Sequence, residues 1–130
     1  MIYKNPKEQT KEIPKETLIE KLEMLDCSSE RGKEKLNSLV RKIKAFGEKE
    51  DIFVDDLERF IVKAADKYYI DIQYIFHTNN EEGVFYTTSI MNTKKHDRIC
   101  TVYGLNLNEL FSKAAVIIYY EIKNGLVERK

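Results

Sequence analysis

The residues that most often carry chemistry are few in this chain and stand apart from one another. His77 and His96 are the only histidines, and each falls at or within a predicted loop. A solitary loop histidine is usually solvated, and no second histidine or carboxylate cluster stands at the spacing that a zinc site needs. We therefore expect neither histidine to be catalytic or to bind a metal ion.

The two cysteines, Cys27 and Cys100, match no zinc-binding or redox motif. Cys100 falls in the middle of a predicted strand, where a thiol is usually buried and unreactive. We expect both thiols to be reduced in a cytoplasmic protein, with a bridge between them as the alternative. The acidic residues between Asp51 and Glu58 have the composition of a cation site. Carboxylates are also favoured at a helix start, and we prefer that interpretation.

Larger motifs and bulk charge exclude further classes of function. The sequence contains no phosphate-binding loop, no dinucleotide-binding motif and no GxSxG motif. Lysine and arginine together number 22, as do aspartate and glutamate, so no net charge attracts nucleic acid or an anionic membrane. No apolar stretch approaches the roughly 18 residues of a membrane span. We expect a soluble cytoplasmic protein that is not an enzyme, has no cofactor and does not contact a membrane.

The second half of the chain predicts a small sheet. Three segments rich in β-branched and aromatic residues alternate with a period of two, and polar connections of about six residues separate them. The expected strands are Tyr69–His77, Val84–Met91 and Arg98–Tyr103. One face of the first strand would hold Ile70, Ile72, Tyr74 and Phe76. Connections this short favour an antiparallel meander, because parallel strands need a longer crossover. The polar connection that ends at Gly83 is expected to be a mobile loop.

Helices are predicted on both sides of these strands. Apolar residues recur at helical spacing after three capping signals, which are Thr17 with Glu20, Asp55 with Glu58, and Asn106 with Glu109. A further helix is expected between Ser29 and Gly47, and Gly125 is expected to end the last helix. The fold class is therefore α+β: N-terminal helices, a helix, a three-stranded antiparallel sheet, and a long C-terminal helix packed on one face.

These patterns divide the chain into four segments along one domain. They are a flexible tail over 1–13, a helical N-terminal segment over 14–50, an α-β-β-β-α core over 51–125 and a short tail over 126–130.

The last helix is apolar on nearly every side from Ala114 to Tyr120. A helix of this kind is normally covered on two sides, either by other helices of the same chain or by another chain. We favour coverage by the N-terminal helices, and hence a monomer over a homodimer.

The order of helix, three antiparallel strands and helix resembles that of a double-stranded RNA-binding domain. Such domains use a histidine near the first strand loop and lysines at the start of the last helix to contact phosphates. His77 stands near the first of these positions, but only Lys113 is near the second. The resemblance therefore covers the order of elements and not the phosphate clamp.

The segment from Thr101 to Tyr120, in which Gly104 joins a strand to a helix with Ala114 and Ala115 in tandem, is similar to small phage-encoded α/β sandwich proteins of unknown activity. This resemblance implies a protein from a phage or mobile element.

The expected function is that of a small interaction module with an unknown protein partner. Tyrosine is favoured at interface hot spots, so strand tyrosines are the candidate anchors. They are Tyr69, Tyr86 and Tyr103. The alternative is a nucleic-acid-binding module that uses the basic connection between the second and third strands. Its candidate residues are Lys94, Lys95, His96 and Arg98.

Overall fold

The chain forms an α+β fold, which confirms the predicted fold class. The computed structural model describes residues 30–52, 56–81 and 83–130. In chain order the described elements are α1 (Glu30–Lys49), α2 (Leu57–Lys67), β1 (Ile70–Ile72), β2 (Phe76–Asn80), β3 (Gly83–Asn92), β4 (Asp97–Gly104) and α3 (Leu107–Lys123). The predicted tail over 1–13, the predicted helix after Thr17 and Cys27 lie outside the described residues.

Two of the helices begin at side-chain caps. Asn106 caps α3 as predicted, since its side-chain oxygen accepts a 2.8 Å hydrogen bond from the backbone N–H of Glu109. The Glu109 carboxylate reaches back to accept from the N–H of Leu105 at 2.6 Å. Helix α2 is capped by Asp56, which accepts from the N–H of Arg59 at 2.8 Å. The expected cap, Asp55, lies outside the described residues. Each cap satisfies an amide that the first helical turn leaves without a partner.

The sheet is built around β3, which pairs with β4 along one edge and with β1 and β2 along the other. All of these pairings are antiparallel, as the short connections predict. Strand β1 pairs with the end of β3, at Ile72 opposite Ile90, and β2 pairs with its beginning, at Phe76 opposite Thr87. Strands β1 and β2 therefore occupy the place of one long strand that is interrupted at residues 73–75.

This interruption corrects the predicted first strand. Gln73 still donates its N–H to Ser89 at 2.8 Å, but the next pair joins Phe76 to Thr87. From Gln73 to Phe76 the first strand advances by three residues, whereas β3 advances by two, from Ser89 to Thr87. One extra residue on one of two paired strands is a β-bulge. One extra residue reverses the alternation of faces beyond it, so Phe76 does not share a face with Ile70.

The predicted polar loop before Gly83 is also corrected. Strand β2 continues to Asn80, and its register with β3 runs until Asn80 lies opposite Gly83. Most of the residues expected in a mobile loop therefore belong to a paired hairpin. Strand β4 carries a second irregularity, because Cys100 pairs with Ile90 while Arg98 pairs with Met91, which leaves Ile99 as the extra residue.

The core lies between the sheet and the helices. Helices α2 and α3 contact the sheet, and α1 packs on α3. Val116, Ile117 and Ile118 of α3 are buried, and the rings of Phe46 and Tyr119 meet edge to face with centroids 5.1 Å apart. The chain itself therefore covers α3 on more than one side, as the apolar pattern of this helix predicts.

Residues 126–130, which were expected to form a short tail, lie beside the start of β1. Tyr69 donates its N–H to the carbonyl of Glu128 at 2.9 Å, and Lys130 donates to the carbonyl of Lys67 at 2.8 Å. Val127 is buried in the core. Among the described residues, no helix is both long enough and apolar enough to cross a membrane.

Candidate interaction surface

One face of the sheet is turned away from the described helices, α1 to α3. The opposite face supplies Ile70, Ile90 and Val102 to the core, where they meet α3. Alternation along β3, together with the register of its neighbours, then defines the residues of the other face, which we call the open face. It consists of Asp71, Phe76, Thr78, Phe85, Thr87, Ser89, Met91, Arg98, Thr101 and Tyr103.

Three aromatic side chains dominate the open face, one each from β2, β3 and β4. Phe76 on β2 and Tyr103 on β4 both pair with Thr87, so they stand on either side of it in one row. Their exposed fractions are 62% and 48%, with Phe76 at the first position of β2 and Tyr103 at the last position but one of β4. Phe85 lies one row further along β3, and its ring centroid is 6.2 Å from that of Tyr103. We call Phe76, Phe85 and Tyr103 the aromatic triad.

The open face carries little charge. Strand β3 contains no charged residue over its ten positions, from Gly83 to Asn92. The charged side chains of the face are Asp71 on β1 and Arg98 on β4, at the end remote from the triad. The hydroxyl-bearing Thr87 lies between Phe76 and Tyr103. Ser89 and Thr101 lie between the triad and the charged end of the face, with their side-chain oxygens 3.3 Å apart. The face is therefore uncharged around the triad and polar at one end.

The three tyrosines predicted as anchors do not converge on one surface. Tyr103 lies on the open face. Tyr86 lies on the helix side of the sheet, where its ring stacks on His77 at 4.6 Å between centroids and packs against the core. Tyr69 is half-buried beside the C-terminal residues, with the ammonium groups of Lys94 and Lys130 each 5.5 Å from its ring centroid. Of the three tyrosines, Tyr103 alone therefore lies on the open face.

The predicted basic cluster is also divided. Residues 93–96 form the turn between β3 and β4, and the side chain of Asn92 holds this turn by accepting from the N–H groups of Lys94 and Lys95 at 3.1 and 3.0 Å. Lys95 and His96 are exposed, and His96 has a left-handed backbone with φ of 60°. Arg98 belongs to the open face. Three of the four predicted residues thus lie in the turn, and Arg98 lies beside it on the open face.

Lys94 is engaged with the C-terminal segment. Its ammonium forms an ion pair and a hydrogen bond with Glu128. The hydrogen bond, followed by the attraction between opposite charges, raises the pKa of Lys94 above its ordinary value of 10.5. Lys94 therefore remains protonated at neutral pH and is already paired. Lys113, the lysine near the start of α3, is buried and contacts Glu109 at 3.0 Å, so it is not available to a phosphate group.

The described residues contain no group of three or more histidine, cysteine, aspartate or glutamate side chains placed to hold a metal ion. A cavity of about 300 Å³ lies where α2 and α3 begin, and Lys44, Glu58 and Phe111 are among the residues that line it. Asp56 also lines it, but one of its oxygens already caps α2. No histidine or cysteine is among the described residues around this cavity.

Sequence reasoning missed Phe76 and Phe85 as surface residues. An uninterrupted alternation from Ile70 assigns Phe76 to the inner face of the sheet. The bulge at residues 73–75 instead places Phe76 on the open face. Tyr74 and Ile75, which lie within the bulge, are also exposed, at 81% and 39%. The run of three large apolar residues from Tyr74 to Phe76, without a polar residue between them, was the available signal. A regular strand with one solvated face alternates apolar and polar residues instead.

Comparison with family models, curated proteins and solved structures finds no match to this chain.

Proposed function

We propose that the protein is a non-enzymatic interaction module that binds a protein partner through the open face. The observation that carries this proposal is the aromatic triad, in which each of three strands contributes one ring to an otherwise uncharged part of the face. A contiguous exposed apolar patch on a small protein usually marks an interaction site. Aromatic rings bury a large area at a small entropic cost, which makes them suitable anchors for a partner.

A protein partner is favoured over nucleic acid by the charges around the triad. Aromatic rings on a sheet can also stack on bases, but such surfaces combine the rings with lysine or arginine side chains that follow the phosphates. Here β3 is uncharged, Lys94 is paired with Glu128, and Lys113 is buried with Glu109. Arg98 is the single basic residue of the open face. A face with this composition suits a largely neutral protein surface.

The experiment compares proteins retained from an extract of the native cells by three tagged full-length chains. The first is the wild type, and the second carries Phe76→Ser and Tyr103→Ser. The third carries Val62→Ser and Leu126→Ser, which remove apolar side chains with exposed fractions of 56% and 48% outside the open face. We expect the wild type and the third chain to retain the same protein and the second to lose it. Loss of a hot-spot ring should weaken binding by about 30-fold or more.

Salt and nuclease distinguish the two kinds of partner. Retention of a protein through the triad should survive nuclease treatment and about 0.5 M salt, because apolar contacts are not screened. Equal retention by all three chains would contradict the proposal. Retention that disappears with salt or nuclease, and that Lys95→Glu weakens more than the loss of the rings, would support the nucleic-acid alternative instead.

A further inference from the structure

Two of the rows on the open face have a paired residue on each edge of β3, and in both rows the residues on the two edges differ. In the first row Asp71 on β1 and Arg98 on β4 stand on either side of Met91. In the second row Phe76 on β2 and Tyr103 on β4 stand on either side of Thr87. The acidic residue and the basic residue are thus about two strand spacings, or roughly 10 Å, apart on opposite edges of an uncharged central strand.

This arrangement is complementary to itself. A twofold axis parallel to β3 and lying above it places each edge of one face over the other edge of a second face. Asp71 then faces Arg98 of a second copy, and Phe76 faces Tyr103 of that copy. Residues of the central strand, such as Met91, meet their own counterparts. We infer that the occupant of the open face is a second copy of this chain, packed sheet on sheet with the two central strands aligned.

The alternative symmetry is disfavoured by the same charges. A twofold axis across the strands reverses the order of the rows. An axis through the row of Met91 would place Asp71 over Asp71 and Arg98 over Arg98, and an axis midway between the two rows would place the charged row over the aromatic row, so neither position pairs opposite charges. Like charges opposite one another are unfavourable, whereas the parallel axis pairs every charge of the face with its opposite. The charges therefore select one of the two ways in which the faces can meet.

The dimensions suit this packing. Aligned sheets pack about 10 Å apart with their strands within about 30° of each other, a distance that an arginine and an aspartate can span from opposite sides. One oxygen of Asp71 accepts from the N–H of Ile72 at 2.8 Å, and a carboxylate has a second oxygen for an arginine. Arg98, on the opposite edge, is exposed.

The area of the open face indicates how tightly two copies would associate. Three strands, the longest of ten residues, offer roughly 500 Å² per copy, or about 1,000 Å² in total. This lies below the standard size of a stable interface and in the range of weak or transient ones. We therefore expect a dimer with a dissociation constant in the micromolar range, in exchange with the monomer. This inference rests on the proposed function of the open face and names its partner.

The experiment measures self-association of the full chain by sedimentation equilibrium from about 10 μM to about 1 mM. Asp71→Arg and Arg98→Asp each create two like-charged contacts per dimer, and each should weaken association by about tenfold or more. The double variant with both substitutions should recover to within about threefold of the wild type, because the two charges have exchanged places. Lys35→Asp, a reversal at an exposed position of α1, is the matched control and should have little effect.

Mixing the two single variants tests directly whether position 71 of one copy faces position 98 of the other. In a mixed pair, the arginine introduced at position 71 of one chain meets the aspartate introduced at position 98 of the other. The second contact joins the unchanged Arg98 to the unchanged Asp71, so both contacts are favourable. The mixture should associate at least about tenfold more tightly than either variant alone. Circular dichroism establishes that each variant is folded before the comparison.

A wild type that stays monomeric at about 1 mM would overturn the inference, as would single reversals without effect or a mixture no tighter than its components. The proposed function is judged separately. If the extract yields a different protein whose retention depends on the triad, the proposed function is upheld and the second-copy inference is wrong. If the chain neither associates with itself nor retains any protein through the triad, both proposals are wrong.

Discussion

At the scale of single residues, burial separates side chains that stabilise the fold from side chains that are free to bind. Tyr86 and Tyr103 occupy similar strands and are equal candidates in the sequence. The ring of Tyr86 stacks on His77 and packs against the core, whereas almost half of Tyr103 is exposed. The difference follows from which face of the sheet each residue occupies, because the described helices pack against the face that holds Tyr86. Substitutions should therefore affect stability at one tyrosine and binding at the other.

The interior of α3 offers the clearest stability prediction for one residue. Ile118 is fully buried, and truncation of a buried aliphatic side chain leaves a cavity as well as removing transfer free energy. Ile118→Ala should lower the free energy of unfolding by about 2–5 kcal/mol, as measured by urea denaturation. Val62→Ala, at an exposed helix position, should change it by less than about 0.5 kcal/mol. Equal effects would show that α3 is not at the centre of the core.

At the scale of the elements, small irregularities decide which side chains reach solvent. The bulge at residues 73–75 turns Phe76 to the open face, and the second bulge places Arg98 there rather than on the helix side. Inside the first bulge, the hydroxyl of Thr88 donates to the carbonyl of Gln73 at 3.0 Å. Thr88 is buried, so this bond gives the interrupted strand a partner at the point where the regular ladder stops.

The junction between β4 and α3 requires a glycine. A Cβ atom on Gly104 would lie 2.6 Å from the backbone nitrogen of Leu110 and 2.9 Å from its Cα. Gly104→Ala should therefore force the helix away from the strand and lower the free energy of unfolding by about 1–3 kcal/mol. Leu105→Ala is the control at the same junction, because this side chain is 65% exposed and should change stability little. Thermal unfolding of both variants followed by circular dichroism measures the difference, and a Gly104→Ala chain as stable as the wild type would contradict the close approach.

At the scale of the whole molecule, α3 is the shared partner of the other elements. It contacts the sheet on one side and both other described helices, α1 and α2. Ile43 of α1 is fully buried in the same cluster as Ile117 and Ile118. A domain of this size has one core, and here the core is centred on a helix that is apolar nearly all round.

This arrangement predicts the effect of removing the segment that contains α1. Deletion of residues 1–50 takes away Ile43 and Phe46 and should expose apolar surface on α3. The 51–130 fragment should then aggregate or form oligomers in light scattering at concentrations where weak pairing of the full chain is not populated. A soluble monomeric fragment with the stability of the full chain would contradict the packing of α1 on α3. Phe46→Ala in the full chain, which should lower stability without aggregation, is the companion variant.

The fold class, the α3 cap and the need to bury the last helix were all predictable from the order of the residues. Capping by Asn106 depends on a side chain and amides a few residues apart, so local sequence is enough to predict it. The apolar pattern of Ala114–Tyr120 required coverage whatever supplied it. These features follow from contacts within one element or from composition around one helix, which is why they could be predicted.

The open face, by contrast, emerges only when the strands are assembled into the sheet. A single extra residue near Tyr74 reverses the face of everything that follows in the strand. The apolar run from Tyr74 to Phe76 marks a break in the alternation, but the sequence does not say which of these residues is the extra one. The register of β3 against its neighbours then brings together the aromatic triad from three separate strands, and sets Asp71 across from Arg98. Contacts between strands depend on register, and register is set by the turns together with the faces of several strands that are buried at once, so no single segment determines it.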